Sequence, residues 1–262
     1  MELESFLFEI RNNVGHITLN QPDRGNPFDA RFCREFKEIA NECDENPEVR
    51  AVLINSNGPY FSVGGDLKTF LGNRDGLPRF IKSATSDLHS GVSRLARGDA
   101  PVILACDTLA AGGAVALVAA ADYALLSEKA SVYAAFSGIG FSCDSGSSYF
   151  MPRRVGQRKA FDFYLRNQKW SAEQCLEYGL ASEIIPSAQL AEHALALAEE
   201  LAQGPTYTYG QIKNLFHSSQ ENTLEAQLEQ EARALADCTR RDDTWNAVNS
   251  VAKKQKPIFN YK

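Results

Sequence analysis

Val49-Arg50-Ala51-Val52-Leu53-Ile54, charged only at Arg50, leads into Asn57-Gly58-Pro59-Tyr60-Phe61-Ser62-Val63-Gly64-Gly65-Asp66, and these two segments decide the fold. A short apolar run bounded by turn residues predicts a strand buried on both faces. The small residues after it predict a loop, with Asp66 placed to cap a short helix that carries Leu67, Phe70 and Leu71. Farther along, the order returns: Pro101 to Ala105 is a second buried run, Asp107 to Gly113 a second small-residue loop, and an alanine-rich helix starts near Gly113. Strand, glycine loop and helix, repeated at a spacing of about fifty residues, imply stacked β/β/α turns or a doubly wound sheet.

Upstream, Phe6, Phe8 and Ile10 alternate, followed by Ile17 and Leu19 across Asn12-Asn13, which predicts a hairpin. Phe32, Phe36 and Ile39 then form a helical stripe with Asp29 as N-cap and Asn46-Pro47 as stop. A longer helix is expected from Arg79 to Ala96. Downstream, a loop covers Gly138 to Gly146 and a helical pattern continues to Lys169, with Ala160, Phe163 and Tyr164 as its stripe. Later segments are helical except for a strand at Ala181 to Ile185. The expected plan is an α/β core over residues 1–195 and a helical region over 196–262. In that region Leu224, Leu228 and Leu235 form a stripe that must cover the core or a neighbouring subunit.

Composition narrows the function. The 262 residues carry 27 basic and 33 acidic side chains, a formal charge of −6, which argues against a nucleic-acid partner. The longest apolar stretch, Ala114 to Ala121, falls far short of the roughly 20 residues of a membrane span. The acidic start MELESFLFEI has no signal-peptide pattern, so a cytoplasmic location is expected. Six scattered cysteines contain no C-x-x-C pair and four dispersed histidines no H-E-x-x-H, so no metal is assigned. The dinucleotide fingerprint fails at Cys143 and the nucleophile elbow fails at Asp144, while no G-K-[ST] phosphate loop occurs.

Two small-residue loops remain, each between a buried strand and a helix, where unpaired amides and the helix dipole favour negative charge. If the two strands lie side by side, the amides of Gly65 and Gly113 can aim at one oxygen and stabilise an enolate; the bland alternative is tight turns and close packing. Asp144, in Ser142-Cys143-Asp144-Ser145-Gly146, is either a helix cap or the working carboxylate of a pocket built by these loops.

Phe61-Ser62-Val63-Gly64-Gly65-Asp66-Leu67-Lys68, the pair Pro101-Val102-Ile103-Leu104-Ala105 and Ala110-Ala111-Gly112-Gly113-Ala114, then Pro152-Arg153-Arg154-Val155-Gly156 and Ser171-Ala172-Glu173-Gln174, together resemble the crotonase, or enoyl-CoA hydratase/isomerase, superfamily. The resemblance spans nearly the whole chain. It implies a β/β/α spiral core with a helical C-terminal region, assembly as trimers or paired trimers, and an acyl-CoA thioester substrate, coenzyme A entering as part of that substrate. It also implies an oxyanion hole on the amides of Gly65 and Gly113. The two glutamates of the family's hydratases fall here on Ala116 and Phe136, so hydration loses its acid/base pair. The Asp144 position carries the working carboxylate in branches that shift double bonds, and the run Ile139 to Gly146 is similar to the ring-1,2-epoxyphenylacetyl-CoA isomerases. The dehalogenases of 4-chlorobenzoyl-CoA also use an aspartate there with a histidine, for which His89 has the spacing; otherwise His89 is a polar residue on an exposed helix face. A non-catalytic acyl-CoA-binding relative is the reading from another class. For the substrate the resemblance nominates Phe28, Val63, Asp66, Leu67, Phe136 and Phe141 around the acyl thioester. Arg24 and Lys256 are nominated for the CoA phosphates and Phe259 for the adenine, the last two at the C-terminal end and open to supply by a neighbouring subunit.

Overall fold

The computed structural model describes residues 2–260. Burial of period two builds the central sheet. The chain opens with β1 (Phe6–Arg11) and β2 (Val14–Leu19), an antiparallel hairpin with Phe6 opposite Leu19 and Phe8 opposite Ile17. Its turn is Asn12-Asn13, at φ 53° and 62°, left-handed values that asparagine tolerates and that match strand twist. Helix α1 (Ala30–Glu45) follows, with the Asp29 carboxylate accepting from the Phe32 N–H. Next come β3 (Ala51–Ser56), β4 (Tyr60–Ser62), α2 (Leu67–Leu71), α3 (Leu77–Arg97), β5 (Val102–Cys106), β6 (Leu109–Ala111), α4 (Gly113–Ala120), β7 (Tyr123–Ser127) and β8 (Ser131–Tyr133). The remainder holds α5 (Ser147–Val155), α6 (Gln157–Leu165), β9 (Lys169–Ser171), α7 (Ala172–Glu177), β10 (Glu183–Ile185), α8 (Ser187–Ala202), α9 (Thr206–Ser218), α10 (Leu224–Cys238) and α11 (Asp242–Ala252).

Two sheets result. One has the order β1-β2-β3-β5-β7-β10, parallel beyond the hairpin; the other has the order β4-β6-β8-β9. Each turn of the spiral thus contributes a long strand to the first sheet, a short one to the second, and then a helix. This is the α/β fold with a β/β/α spiral core and a helical C-terminal region; the doubly wound alternative is excluded, because the short strands form a sheet of their own. Alternation splits the core accordingly. Val52, Ile54, Val102 and Leu104 face the large cluster shared with α1 and α3, whereas Ala51, Leu53, Ile103 and Ala105 face the small residues Ala194 and Ala198 of α8. Residue 195 lies within α8.

Several expectations need correction. The helical run to Lys169 is two helices, α5 and α6, because Gly156 sits between them at φ 79° and ends the first. The three-residue strands β4, β6, β8 and β9 were not expected individually: at that length no period can be counted, and they exist because they pair with one another. Cysteines behave as small core residues. Burial pushes the Cys33, Cys106 and Cys175 thiols up to about 12, and no disulfide joins any of the six cysteines.

Helix α9 is tied to the core by one buried cation. Lys213 Nζ meets Asp122 Oδ2 at 2.9 Å and donates to the carbonyls of Ala100 at 2.9 Å and Leu95 at 3.2 Å. Among the described residues no helix is long and apolar enough to cross a membrane.

Candidate active site

The first loop is held by a buried asparagine. The Asn26 side-chain amide donates to the carbonyls of Asn57, Tyr60 and Phe61 at 2.9, 3.0 and 3.1 Å, and the backbone carbonyl of Asn26 accepts from Ser62 Oγ at 2.7 Å. Ser62 Oγ in turn accepts from the Gly64 N–H at 3.0 Å. Gly64 has φ +81°, and a Cβ there would lie 2.8 Å from the Ala111 carbonyl oxygen, so only glycine lets the first loop reach the second. The Gly64 carbonyl accepts from the Phe28 N–H at 2.8 Å. In a trans peptide the N–H points opposite to the carbonyl, so the Gly65 amide is directed away from Phe28.

The second loop ends on α4. Gly113 is its first helical residue, so its N–H has no acceptor within the helix. α4 is apolar all round and buried along Gly113 to Ala119, which fixes that amide rigidly. A Cβ on Gly64 would stand 3.4 Å from the Gly112 Cα, and the two amides in question each belong to the next residue along. The strands before the two loops are adjacent and parallel, as β3 with β5 and as β4 with β6.

Asp144 comes from the third loop. A Cβ on Gly113 would stand 2.9 Å from Ser145 Oγ, and that hydroxyl donates to Asp144 Oδ1 at 2.9 Å, so the carboxylate belongs to the neighbourhood of the second amide. Burial pushes its carboxyl above the usual range, opposed by the Ser145 hydrogen bond. The His89 Nε2 accepts from the Ser145 N–H at 3.0 Å. An accepting Nε2 places the ring proton on Nδ1, so in this arrangement the imidazole is neutral and its lone pair is occupied. His89 therefore braces the Asp144 loop; it does not merely decorate an exposed helix face.

Aromatic side chains line the approach. The Phe70 ring lies against Gly65 and packs on Phe141, centroids 5.6 Å apart, and on Phe80 at 6.5 Å. Phe136 sits beside Gly112 and tilts against Tyr164 at 6.1 Å; Phe28 packs against Gly113. Val63 covers Gly25. Leu67 is exposed at the start of α2.

The structure does not bring every nominated residue together. Arg24 bonds to Asp29 and Asp66, both at 2.9 Å, so its charge is already matched. Asp66 caps α2 by accepting from the Lys68 N–H and Thr69 Oγ1. Burial raises its carboxyl, but those bonds and Arg24 outweigh burial and hold it below the usual range. Of the two nominated carboxylates, Asp144 is the one that forms no ion pair among the described residues. Within one chain Phe259 lines a different cavity, with Pro47, Tyr207 and Arg241, and Lys256 is exposed nearby in sequence. Phe259 does not accompany Arg24 in the same protomer, because Pro47 puts its cavity at the C-terminal end of α1 while Arg24 bonds to Asp29 at the N-cap of that helix.

Sequence reasoning missed Asn26, Ser145 and Tyr164. Asn26 and Ser145 resemble any turn or cap residue; what distinguishes them is burial, which no local pattern announces. Tyr164 reads as part of a core stripe, yet its hydroxyl is buried near Ser147, beside the Asp144 loop. Among the described residues no group of three His, Cys, Asp or Glu side chains is arranged to hold a metal ion.

Comparison with known proteins agrees with this architecture. The enoyl-CoA hydratase/isomerase family model matches residues 9–262. The chain is 30% identical to the 1,2-epoxyphenylacetyl-CoA isomerase of Escherichia coli (strain K12), over 98% of both chains. It is 27% identical to 4-chlorobenzoyl coenzyme A dehalogenase-2 of an Arthrobacter species, over 86% of this chain and 82% of that one. The crystal structure of an enoyl-CoA hydratase/isomerase from Cupriavidus metallidurans CH34 superposes with a TM-score of 0.90 at 25% identity, covering 98% of this chain and 96% of that one. With a family model spanning almost its entire length and two glycine loops meeting as that architecture requires, the chain belongs to the enoyl-CoA hydratase/isomerase family.

Proposed function

We propose that this enzyme isomerises an acyl-CoA thioester through an enolate, with Asp144 as the single acid/base and the Gly65 and Gly113 amides as the oxyanion hole. The thioester oxygen accepts from both amides. The Asp144 carboxylate removes a proton from a carbon made acidic by the thioester, and the C–H electron pair moves onto the carbonyl oxygen as the enolate forms. The same carboxyl then returns the proton at another carbon of the conjugated system, so the double bond or ring moves and nothing is gained or lost. One donor of such a hole is worth about 3 kcal/mol of transition-state stabilisation, and a positioned acid/base about 10²–10⁴-fold in rate.

The observation that carries this reading is the place of Asp144 beside the second amide: of the three loop carboxylates, Asp66 is committed to a helix cap and Arg24, and Asp107 stands between β5 and β6, ahead of the glycines of its loop. Positions 116 and 136, where a hydratase would need acids, hold a buried alanine and a buried phenylalanine. The likeness to an epoxyphenylacetyl-CoA isomerase points the same way. Solvent-deuterium exchange into the carbon next to the thioester, compared between the wild type and Asp144→Asn, tests it. Exchange should fall at least about a hundredfold in the variant, and full retention removes Asp144 from the mechanism.

A second reading, attack by Asp144 with His89 activating water, is favoured by the contact between the His89 ring and the Asp144 loop. It requires His89 to give up the Ser145 hydrogen bond, since that bond uses the lone pair a general base needs. Halide release from 4-chlorobenzoyl-CoA distinguishes it from isomerisation. CoA binding with neither halide release nor exchange marks a non-catalytic relative.

The protein further assembles as a trimer or as paired trimers. Leu224, Leu228 and Leu235 on α10, with Trp245 and Val251 on α11, present an exposed apolar face that a neighbouring protomer covers. In such an assembly Lys256 and Phe259 reach the CoA of the adjacent protomer. Sedimentation equilibrium reads the stoichiometry directly.

A further inference from the structure

A cavity of about 440 Å³ lies between α3, the 143–146 loop, the start of α5 and α9, and Asp144 forms part of its wall. Its α3 wall is one helix face: His89, Val92, Ser93, Ala96 and Arg97 follow at i, i+3, i+4, i+7 and i+8. The eight steps from His89 to Arg97 rise roughly 12 Å along the axis. The cavity therefore runs from the reactive carboxylate, beside His89, down the helix to Arg97.

Its lining changes along that length. Val92, Ala96 and Phe150 make the middle apolar, which suits methylene groups or a ring, while the far end holds Arg97 and His217. The two arginines in the last turn of α3 differ. Arg94 meets Asp44 at 3.3 Å, whereas no acidic side chain among the described residues forms an ion pair with Arg97. The wall's one carboxylate, Asp144, lies at the other end. His217 is half-buried against Phe150, and burial lowers its proton affinity, so the neutral ring leaves Arg97 as the cation of that end. A hydrocarbon acyl group would leave this guanidinium unused. A carboxylate matches its planar fork with two parallel hydrogen bonds.

We propose that the acyl group processed at this site ends in a carboxylate, which Arg97 binds while the apolar middle of the cavity holds the chain between that carboxylate and the thioester. The proposal rests on Asp144 and the two glycine amides marking the thioester end. Arg97 is a specificity-determining residue in this scheme. It touches the far end of the substrate and takes no part in proton transfer.

The test is calorimetric binding of suberoyl-CoA and octanoyl-CoA, matched in chain length, to wild type, Arg97→Gln and Arg97→Lys, with solvent-deuterium exchange into both ligands as a parallel readout. Because Arg97 is exposed, the expected preference of the wild type for suberoyl-CoA is about tenfold, not larger. Arg97→Gln should abolish that preference while leaving octanoyl-CoA binding and its exchange rate within about twofold, and Arg97→Lys should keep part of the preference, since it retains charge without the fork. Equal affinity of the wild type for the two ligands, or equal weakening of both by Arg97→Gln, overturns the proposal and leaves Arg97 a solvated surface charge. Failure of the enolate reading looks different: exchange is then absent with both ligands, whatever their relative affinity.

Discussion

Helices α1 and α10 carry similar apolar stripes and meet opposite fates. On α1, Phe32 and Phe36 are 1% and 0% exposed, sealed between the sheet and α3; on α10, Leu224, Leu228 and Leu235 are 69%, 53% and 70% exposed. The stripe of α1 faces its own chain, and that of α10 faces away from it, with Ala234 and Cys238 its buried residues. Periodicity says which face of a helix is apolar, and it is silent on what covers that face. The difference marks the α1 stripe as sealed within the chain and the α10 stripe as left open by it.

The largest expected effect is on the covered stripe. Phe36→Ala should cost about 3–5 kcal/mol in chemical denaturation, because the void is enclosed by the sheet and α3. Next is the tether that joins the two regions: Lys213→Met leaves Asp122 half-buried beside an apolar side chain and should cost about 2–3 kcal/mol, below the full penalty for a buried pair because Asp122 keeps some water. If Lys213→Met is silent, α9 is held by its packing alone and the boundary between core and tail moves earlier. On the open stripe, Leu228→Ala should change the stability of the dissociated chain by no more than about 0.5 kcal/mol. Leu228→Glu should lower the sedimenting mass while leaving the far-ultraviolet dichroism of each chain intact. A cost for Leu228→Ala as large as that for Phe36→Ala would break the comparison outright.

The smallest effects concern pH. Asp144 must be ionised to take a proton, and burial places its carboxyl above the ordinary range, so the acid limb of the kcat/KM profile should lie higher than for an exposed carboxylate. Ser145→Ala removes a hydrogen bond that favours the ionised form and should move that limb further up. The linked stability has a definite sign. With the folded carboxyl raised, the native state holds the proton more tightly than the unfolded chain, so stability declines as pH rises from the ordinary carboxylate range through the folded value. Asp144→Asn should therefore melt higher than wild type near neutrality, and the gap should close in acid; a gap that is independent of pH would show that the carboxylate is not strained by its surroundings.

Legibility in the sequence followed the length of the signal. The hairpin at Asn12-Asn13, α1 with its Asp29 cap, and the two strand–loop–helix repeats were plain, since each is built from interactions within a few residues or from a period sustained over several turns. The short strands and the break at Gly156 were not, because three residues carry no period and a glycine inside an apolar pattern is tolerated as often as it interrupts. At the site, Gly65, Gly113 and Asp144 were nominated from loop chemistry and resemblance together. Asn26, Ser145 and the far wall of the cavity were invisible, although the spacing of His89, Val92, Ser93, Ala96 and Arg97 could have shown that one helix face runs from the site to a cation.

By itself, the sequence determined local structure and its apolar faces: which segments are strands or helices, where caps and turns fall, and which loops leave amides unpaired. These follow from hydrogen bonding and side-chain periodicity among near neighbours. Only the tertiary structure decided which carboxylate is left without an ion pair, because Asp66 and Asp144 are both loop acids before helices, and they differ in what reaches them across the fold: Arg24 pairs with the carboxylate of one, whereas His89 reaches only the backbone beside the other. It also decided that the α10 stripe is left open, since whether an apolar face is covered depends on the positions of elements far apart in the chain.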